Sequence, residues 1–475
     1  MIAAHAHRTG LRLLIGFLLI LAPVFAAASP ESLEALLRSG RQPPGVSVSL
    51  LFEPVCGSGT RVALGDSVAL PPASVQKIVT STAALDLLGP DHRFTTRVRA
   101  DQPVRGARLE GNLYLEGDGD PFLVSERMWL LAHDVAVTGL REVAGDLFVD
   151  AEVITDLQFI RAREETVSPY AAPVSRLAVN FNSLCFLVRP GTKTGVLASV
   201  VLDPFPVAGV KSISRVTTVG SGPTAPLIAL RVLNGAREIW TLEGSIPVNT
   251  PPVRIYGATQ SPAELAGGVF AGLLGEQGVT VRTVRVGKAP DGAAVIASLP
   301  SYSLGLLIRS MNLWSNNFMA DLLLVDLGDS TSGSAGLARV RNWLGETVGM
   351  NPLPQIHDGS GLSPENRVSA AQIVRLLVWS HSREKIFPDL YASFPRPGGE
   401  GTLERRFQEG PAPGLRAKTG TLGETGVSSI AGYIDHPAAG RYAFCILQQA
   451  SPDAGLAVSA LRAREEVWLR DFETP

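Results

Sequence analysis

The sequence changes its character twice along its length, and this change constrains the fold more than any other feature. Between about residues 95 and 290, short β-branched runs such as TTRVRA, SLCFLVRPG and ISRVTTV alternate with turns rich in Gly, Pro and Asp. One helical pattern, near residues 261–278, interrupts these runs. The segments on either side are α/β in pattern, with long helical stretches after residue 300. We therefore predict one α/β domain that is split by β-rich insertions.

The domain boundaries are predicted where the pattern changes. In chain order they are a signal peptide (1–28), an α/β domain in two parts (29–95 and 290–475), an inserted domain in two parts (96–175 and 250–289) and a second inserted β-rich domain nested within it (176–249).

The first thirty residues have the pattern of a secretory signal. Arg8 and Arg12 precede the apolar run LLIGFLLILAPVF, which ends in the small residues of AAASP. A membrane anchor is the alternative, but the run is short for a bilayer span and Pro23 interrupts it. We predict cleavage after Ala28 and an exported, periplasmic protein that is soluble or loosely attached to the membrane, with no later membrane span.

The composition bears on partners and cofactors. The net charge of −2 does not indicate a polyanionic partner, and we predict no nucleic acid. Cys56, Cys185 and Cys445 are too few for a disulfide framework, and we expect buried thiols that pack as small hydrophobic groups. No C-x-x-C or H-E-x-x-H pattern occurs, and the acidic run EGDGDP is typical of a turn, so we predict neither a metal nor a cofactor.

Three short polar motifs lie outside the β-rich middle: Ser74-Val-Gln-Lys77, Ser315-Asn-Asn317 and Lys418-Thr-Gly420. The combination of S-x-x-K, S-D-N and K-T-G occurs in penicillin-binding proteins and class A β-lactamases. Each motif alone is weak, because the chain also contains a second S-x-x-K at 382–385 and a second K-T-G at 193–195.

The surroundings distinguish the two sets of motifs. Lys77 is followed by IVTSTAAL, a run of side chains that face a core. Lys418 opens a strand, KTGTL, whose small residues allow a ligand to approach closely. The second S-x-x-K carries Arg and Glu between its ends, and the second K-T-G lies in a predicted hairpin tip. We therefore assign the chemistry to the first set.

The position of Lys77 has a chemical explanation. Residues i and i+3 of a helix share a face, so Ser74 Oγ and Lys77 Nζ can meet. A serine hydroxyl is a weak nucleophile unless an adjacent base takes its proton, and a lysine, whose ordinary pKa is ~10.4, is a base only when neutral. Burial and a nearby positive charge, for which Lys418 is the candidate, both lower the pKa of a lysine. The pattern thus indicates a nucleophile and its base.

Further stretches extend the resemblance from three motifs to nearly all of the mature chain. The sequence resembles the class C low-molecular-weight penicillin-binding proteins, the D-alanyl-D-alanine carboxypeptidases and endopeptidases with a large insertion between the first two motifs. The stretches that carry this resemblance are GDP (119–121), YAAPVSRLAVNFN (170–182), DGSGLSPENRVS (358–369), GTLERRF (401–407) and AKTGTLGETGVSSIAGYI (417–434). The sequence departs from the family pattern at Asn316 and at Glu400, where the family usually has aspartate.

The resemblance implies a fold and a catalytic group. The fold class would be the α/β (α+β) penicillin-recognising serine-transferase fold, an antiparallel sheet flanked by helices, with inserted β-rich domains. Ser74 would be the nucleophile, Lys77 its base, and Ser315 a relay that carries the proton to the leaving amine. The backbone N–H groups of Ser74 and Thr421 would form the oxyanion hole.

The resemblance also implies a set of substrate-binding residues. Asn317 would hydrogen-bond the penultimate amide of the substrate and help to hold the base. Lys418 would attract the terminal carboxylate of D-alanine, and Thr419, Gly420 and Thr421 would line the same strand.

The implied activity is hydrolysis of the D-Ala-D-Ala bond of peptidoglycan stem peptides, with D,D-endopeptidase cleavage of crosslinks as a second activity. Peptidoglycan peptides and β-lactam antibiotics would be the partners. A β-lactamase-like hydrolase and a catalytically idle peptidoglycan-binding scaffold are the alternatives. A Ser-His-Asp hydrolase is disfavoured because G-x-S-x-G is absent and only His357, beside Asp358, is a tempting histidine.

Overall fold

The computed structural model describes residues 32–56, 59–156, 167–234, 237–328, 332–408 and 414–473. The predicted signal peptide and its cleavage site lie outside these ranges. The helices are α1 (Leu33–Ser39), α2 (Gln76–Leu88), α3 (Ser125–Val137), α4 (Pro262–Glu276), α5 (Leu304–Trp314), α6 (Asn317–Asp326), α7 (Gly333–Glu346), α8 (Ala370–His381), α9 (Phe387–Ser393) and α10 (Val458–Glu473).

The strands are concentrated before α5 and after α9. They are β1 (Val46–Pro54), β2 (Val62–Leu64), β3 (Thr95–Ala100), β4 (Arg108–Leu109), β5 (Leu113–Gly117), β6 (Glu142–Val143), β7 (Leu147–Asp150), β8 (Ser183–Arg189), β9 (Ser199–Asp203), β10 (Val210–Val219), β11 (Ile228–Asn234), β12 (Arg237–Pro247), β13 (Val253–Ala258), β14 (Val284–Val286), β15 (Ala294–Pro300), β16 (Arg416–Leu422), β17 (Val427–His436) and β18 (Gly440–Ala450).

The main sheet joins the two ends of the sequence. Its order is β16-β17-β18-β1-β2, and every neighbouring pair is antiparallel. Successive residues of a strand point to opposite faces, and both faces of this sheet are apolar. Phe444 and Ile446 pack on the side of α1 and α10, whereas Cys445 and Leu447 pack on the side of α2 and α8. This arrangement is the predicted antiparallel sheet between layers of helices.

A second five-stranded sheet lies in the middle of the sequence, in the order β14-β7-β5-β3-β15. Helices α3 and α4 pack on it, and residues such as Met128, Leu131 and Phe270 complete its core. Sequence patterning predicts α4 but not α3, so the expectation of a single helix in this region is wrong. The run SERMWLLAHDVAV buries Met128, Leu131 and Val135 on one face, which is the helical periodicity that reveals α3.

Two three-stranded sheets, β13-β8-β9 and β10-β12-β11, complete the insertion. Trp240 of β12 is fully buried against Phe186 of β8, with 5.1 Å between the ring centroids. The division into domains stays a prediction, and two strand pairs bear on its limits. β15 pairs with β3, and β13 pairs with β8, so residues 294–300 and 253–258 each pair with a segment assigned to another domain.

The cysteines differ from one another in exposure. Cys445 is buried and Cys185 half-buried, but Cys56 is exposed, so the expectation of buried packing is wrong for Cys56. All three are free thiols. Cys56 follows the end of β1, where the chain leaves the sheet, and its neighbours in the sequence do not reveal that exit.

Asp118, Asp120, Asp326 and Arg176 form a cluster that we call the acidic junction, where α6 ends against the turn after β5. Asp326 Oδ1 lies 3.5 Å from Arg176 Nε, and no hydrogen bond to either carboxylate oxygen of Asp326 is found within the described ranges. Burial raises the pKa of Asp326 well above its usual range and raises the pKa of Asp120 to about 6. Burial in this junction therefore disfavours the ionised form of Asp120 and of Asp326.

The turn at Gly119 lies very close to the carboxyl group of Asp326. Gly119 has a φ of +112°, and a Cβ at this position would lie 2.4 Å from Asp326 Oδ2. Only glycine allows this conformation and this contact. Within the run EGDGDP, Glu116 and Gly117 end β5, and the predicted turn is formed by the residues after them. No group of three His, Cys, Asp or Glu side chains arranged for a metal ion occurs in the described part of the chain.

Candidate active site

The candidate nucleophile lies at the start of a helix. Ser74 is in the short 3₁₀ turn Ala73–Val75, which leads directly into α2. Lys77 is in the first turn of α2 and is completely buried. The preceding residue, Ala73, has a φ of 47°, an uncommon conformation for a residue other than glycine. This local geometry places the Ser74 hydroxyl and the Lys77 amine on one side of the turn.

The amine of Lys77 donates hydrogen bonds to three oxygen atoms from separate parts of the chain. They are Ser74 Oγ at 2.9 Å, Asn317 Oδ1 at 2.8 Å and the backbone oxygen of Ser360 at 2.7 Å. The distance to Ser74 allows a proton to pass between hydroxyl and amine. A side chain that is held at three points in a buried site has a defined position relative to the hydroxyl it contacts.

The second motif lies at a break between two helices. Sequence patterning predicts one continuous helical stretch here, but Ser315 adopts a left-handed conformation with a φ of 57° and ends α5. Asn316 begins α6, because its side-chain oxygen accepts a hydrogen bond from Met319 N at 3.0 Å. The break directs Ser315 and Asn317 toward the two lysines.

The third motif lies on β16, at the edge of the main sheet. Lys418 is completely buried and donates hydrogen bonds to Ser315 Oγ at 2.9 Å and to the backbone oxygen of Thr419 at 2.7 Å. Burial, and after it the positive charge of Lys77, lower the pKa of Lys418 well below its usual range. We call Lys77, Lys418, Ser74 and Ser315 the lysine cluster.

Two glycines allow neighbouring segments to approach the nucleophile. A Cβ on Gly420 would lie 2.8 Å from Ser74 N, so the backbone of β16 passes directly beside the turn. A Cβ on Gly361 would lie 1.8 Å from the backbone oxygen of Ala73. Any side chain at either position would displace the turn that carries Ser74.

A loop after α7 supports the base, and this support is not predicted from the sequence. Asp321 Oδ1 accepts hydrogen bonds from Gly359 N and Ser360 N, both at 2.9 Å. The carbonyl group of Ser360 is thereby held toward Lys77. The stretch DGSGLSPENRVS indicates the loop, but no spacing pattern relates it to Asp321 on α6.

His357 and Asp358, the pair that could suggest a Ser-His-Asp triad, have other partners in this loop. The carboxylate of Asp358 accepts hydrogen bonds from Gly361 N at 2.7 Å and from Ser363 N. His357 Nδ1 lies 3.7 Å from Glu365 Oε2 at the surface. Asp358 thus orders the loop that carries Ser360.

Two cavities meet at Ser315. The larger, of about 880 Å³, is lined by Tyr170, Trp314 and Asn317 together with residues of the insertion. The smaller, of about 550 Å³, is lined by Ser74, Ser315, Thr402, Arg405, Arg406, Thr419, Gly420, Thr421, Arg462 and Glu466. The candidate nucleophile therefore opens into a cleft with room on both sides of Ser315.

The duplicate motifs lie elsewhere. Residues 193–195 are in the connection between the antiparallel strands β8 and β9, and Lys193 is exposed. Ser382 follows the last residue of α8, and Lys385 is exposed. All eight predicted site residues from the first set, in contrast, belong to one continuous region around the cleft.

Comparison with known proteins shows the family of this chain. A sequence model of the D-Ala-D-Ala carboxypeptidase 3 (S13) family matches residues 61–467. The chain belongs to this family. It is 31% identical over 456 residues to the D-alanyl-D-alanine carboxypeptidase of Actinomadura sp. (strain R39), a match that covers 90% of this chain and 82% of that protein. The predicted family and enzyme class are thereby confirmed.

Relatives in Haemophilus influenzae extend the comparison. Its D-alanyl-D-alanine carboxypeptidase DacB is 24% identical over 390 residues, which are 78% of this chain and 79% of that protein. The crystal structure of penicillin binding protein 4 (dacB) from the same species superposes with a TM-score of 0.76 at 20% identity, covering 93% of this chain and 99% of the other. The predicted fold class is confirmed.

Proposed function

We propose that this protein is a serine D-alanyl-D-alanine carboxypeptidase that acts through an acyl-enzyme on Ser74. The observation that carries the proposal is the hydrogen bond between the buried amine of Lys77 and Ser74 Oγ, at 2.9 Å. Membership of the family supports the reaction class, and the cleft around Ser315 supports a peptide substrate.

Acylation would proceed in one proton cycle. Ser74 Oγ attacks the carbonyl carbon of the penultimate D-alanine while a neutral Lys77 Nζ takes the hydroxyl proton. The backbone N–H groups of Ser74 and Thr421 stabilise the oxyanion, which is usually the largest electrostatic contribution in acyl transfer. Ser315 Oγ relays the proton to the nitrogen of the leaving D-alanine as the C–N bond breaks. Water then hydrolyses the ester.

Substrate binding would use the edges of the same cleft. The side chain of Asn317 hydrogen-bonds the penultimate amide of the substrate, while its Oδ1 accepts a hydrogen bond from Lys77. The Lys418 ammonium attracts the terminal carboxylate. Thr419 and Thr421 add hydroxyl groups along β16, and Gly420 keeps the strand close to the nucleophile. Because two buried ammonium groups destabilise each other, a singly charged lysine pair supplies both a base and a cation.

The proposed partners are peptidoglycan stem peptides and β-lactam antibiotics, which would acylate Ser74. The proposed location is the periplasm, reached through the N-terminal signal. No helix in the ranges given above has the length and apolar character needed to cross a bilayer. The proposed second activity, D,D-endopeptidase cleavage of crosslinks, is supported by the size of the cleft.

The test is incubation of the purified mature protein with a pentapeptide and with a crosslinked muropeptide, followed by mass spectrometry. Release of D-alanine from the first, and its loss in Ser74→Ala, is the expected result. Covalent labelling by a fluorescent penicillin follows the acyl-enzyme directly, and absence of an adduct would favour a binding scaffold. Rapid turnover of nitrocefin would instead favour a β-lactamase.

A further inference from the structure

The smaller cavity of the cleft has strongly basic walls. Three arginines line it, Arg405, Arg406 and Arg462. Arg406 is neutralised, because it lies 3.1 Å from a carboxylate oxygen of Glu465 and 2.8 Å from one of Glu466. The other two have no ion pair with any residue in the described ranges. Their positive charges are therefore available to a ligand in this cavity.

These two arginines come from different elements and differ in their contacts. Arg405 lies in the segment between α9 and β16. It is exposed and makes no side-chain hydrogen bond to the described part of the chain. Arg462, on α10, is also exposed and donates a hydrogen bond to Thr421 Oγ1 at 2.9 Å. Thr421 lies on the same strand as Lys418, so the two arginines extend the basic character of β16 outward.

The proposed function identifies this cavity as the side of the leaving group. Asn317, assigned to the acyl portion of the substrate, lines the larger cavity, whereas Thr419 and Thr421, on the strand that carries Lys418, line the smaller one. A single D-alanine needs one cation for its one carboxylate, and Lys418 supplies it. A cavity of about 550 Å³ is also far larger than an alanine residue.

We propose that Arg405 and Arg462 form an anion subsite for a second carboxylate on the leaving group. The crosslinked peptide already proposed above as a second substrate would fit this subsite, because its leaving half is a diamino acid within a further peptide. The carbon that carries the scissile amine bears one carboxylate, which Lys418 would bind. The rest of the leaving half bears further carboxylates, which the two arginines would bind. This inference rests on the proposed function and assigns its leaving-side specificity.

The chemical step is the same as for carboxypeptidase cleavage. The acyl carbon forms its new bond to Ser74 Oγ, the amide C–N bond breaks, and the proton from Ser74 reaches the amine of the leaving half. Water then restores the hydroxyl group. The arginines touch no reacting atom, so they are positioning residues that act through the binding of the leaving half.

The experiment compares two crosslinked dimers. In one, the carboxylates of the leaving half are free; in the other, all of them except the one beside the scissile amine are amides. We expect the wild-type kcat/KM to favour the free acid by roughly fivefold, with the difference mainly in KM, as for a partly exposed ion pair. Raising the ionic strength to 1 M should reduce this preference, because exposed charges are screened.

The decisive variant is Arg405→Gln, because this side chain contacts no proposed catalytic residue. It should reduce the preference to about twofold or less, and Arg405→Lys should restore part of it. The same kcat/KM ratio measured for Arg462→Gln tests the second arginine independently. The matched control is Arg105→Gln, an exposed arginine in the insertion, which should retain the wild-type ratio.

The possible outcomes separate the two proposals. Equal cleavage of both dimers by the wild type, or an unchanged preference in the Arg405→Gln, Arg462→Gln double variant, overturns the subsite and leaves the proposed function standing. A wild type that releases neither D-alanine nor a dimer half contradicts the proposed function and, with it, the subsite.

Discussion

The lysine cluster and the acidic junction each contain two buried groups of like charge, Lys77 with Lys418 and Asp120 with Asp326, but the two pairs differ in their hydrogen bonds. In the lysine cluster, Lys77 donates to three oxygen atoms and Lys418 to two. In the acidic junction, neither oxygen of Asp326 accepts a hydrogen bond from the residues described. Buried charge is costly unless it is hydrogen-bonded or neutralised. The hydrogen bonds of the first cluster suit the proton transfer proposed for it, whereas in the second cluster burial raises the pKa of Asp120 and of Asp326.

Removing Lys77 should give the largest effect. Lys77→Ala takes away the base beside Ser74 Oγ, so acylation by penicillin should fall by about a thousandfold or more. Stopped-flow or gel labelling with a fluorescent penicillin measures the rate. Lys77→Met, which keeps most of the volume, controls for the cavity, and thermal melting confirms that both variants fold. Undiminished labelling would contradict the assigned base.

Recognition of a substrate carboxylate by Lys418 should depend on pH. The pKa of Lys418 is lowered well below the ordinary lysine value of ~10.4. As the pH rises, Lys418 therefore loses its proton earlier than an ordinary lysine does. The ratio of kcat/KM for a peptide with a free C-terminal carboxylate to that for its C-terminal amide should therefore fall with rising pH, by up to about a hundredfold. A ratio that stays constant up to the ordinary lysine range would show that Lys418 does not bind the carboxylate.

The acidic junction should respond to pH in the opposite sense to a surface carboxylate. The pKa of Asp120 in the folded protein is about 6, above the ordinary value of 3.8, so the folded state binds this proton more tightly than the unfolded state. The stabilisation is complete below about pH 4 and is lost as the pH rises through about 6. Asp120→Asn should remove about 2 kcal/mol of this pH dependence.

Urea unfolding of the wild type and of Asp120→Asn between pH 4 and 7 measures the difference. Asp134→Asn, at an exposed position on α3, is the matched control. Parallel pH dependences in all three proteins would mean that Asp120 is ionised in the folded state throughout.

The smallest effect is expected at the duplicate motif. Lys193 is an exposed lysine of a K-T-G triplet between two strands of the insertion. Lys193→Ala should change the free energy of unfolding by less than about 0.5 kcal/mol and leave penicillin labelling at the wild-type rate. A loss of labelling would mean that sequence context does not separate the two sets of motifs.

Motif residues and supporting residues differ in how far they could be predicted. Ser74, Lys77, Ser315 and Lys418 stand out as short patterns, because the proposed chemistry requires these residue types. The break at Ser315 was not predicted, since the apolar pattern continues from α5 into α6 across the left-handed Ser315 and the Asn316 cap.

Contacts between distant segments were also beyond prediction. Asp321 reaches the loop that carries Ser360, and Asp326 reaches the turn at Gly119, across pairs of segments that only the packed fold brings together. Helix α3 is a different case: its periodicity is present in the sequence, but the surrounding β-branched runs obscured it.

The pairing of β1 with β18 has a consequence for how the molecule comes into being. Residues 46–54 lie beside residues 440–450, and β16, which carries Lys418, is attached through β17. A chain that ends before residue 416 would thus contain Ser74 and Lys77 but lack the strand that carries Lys418. We therefore expect a chain still being synthesised to be inactive until β16, β17 and β18 have joined β1.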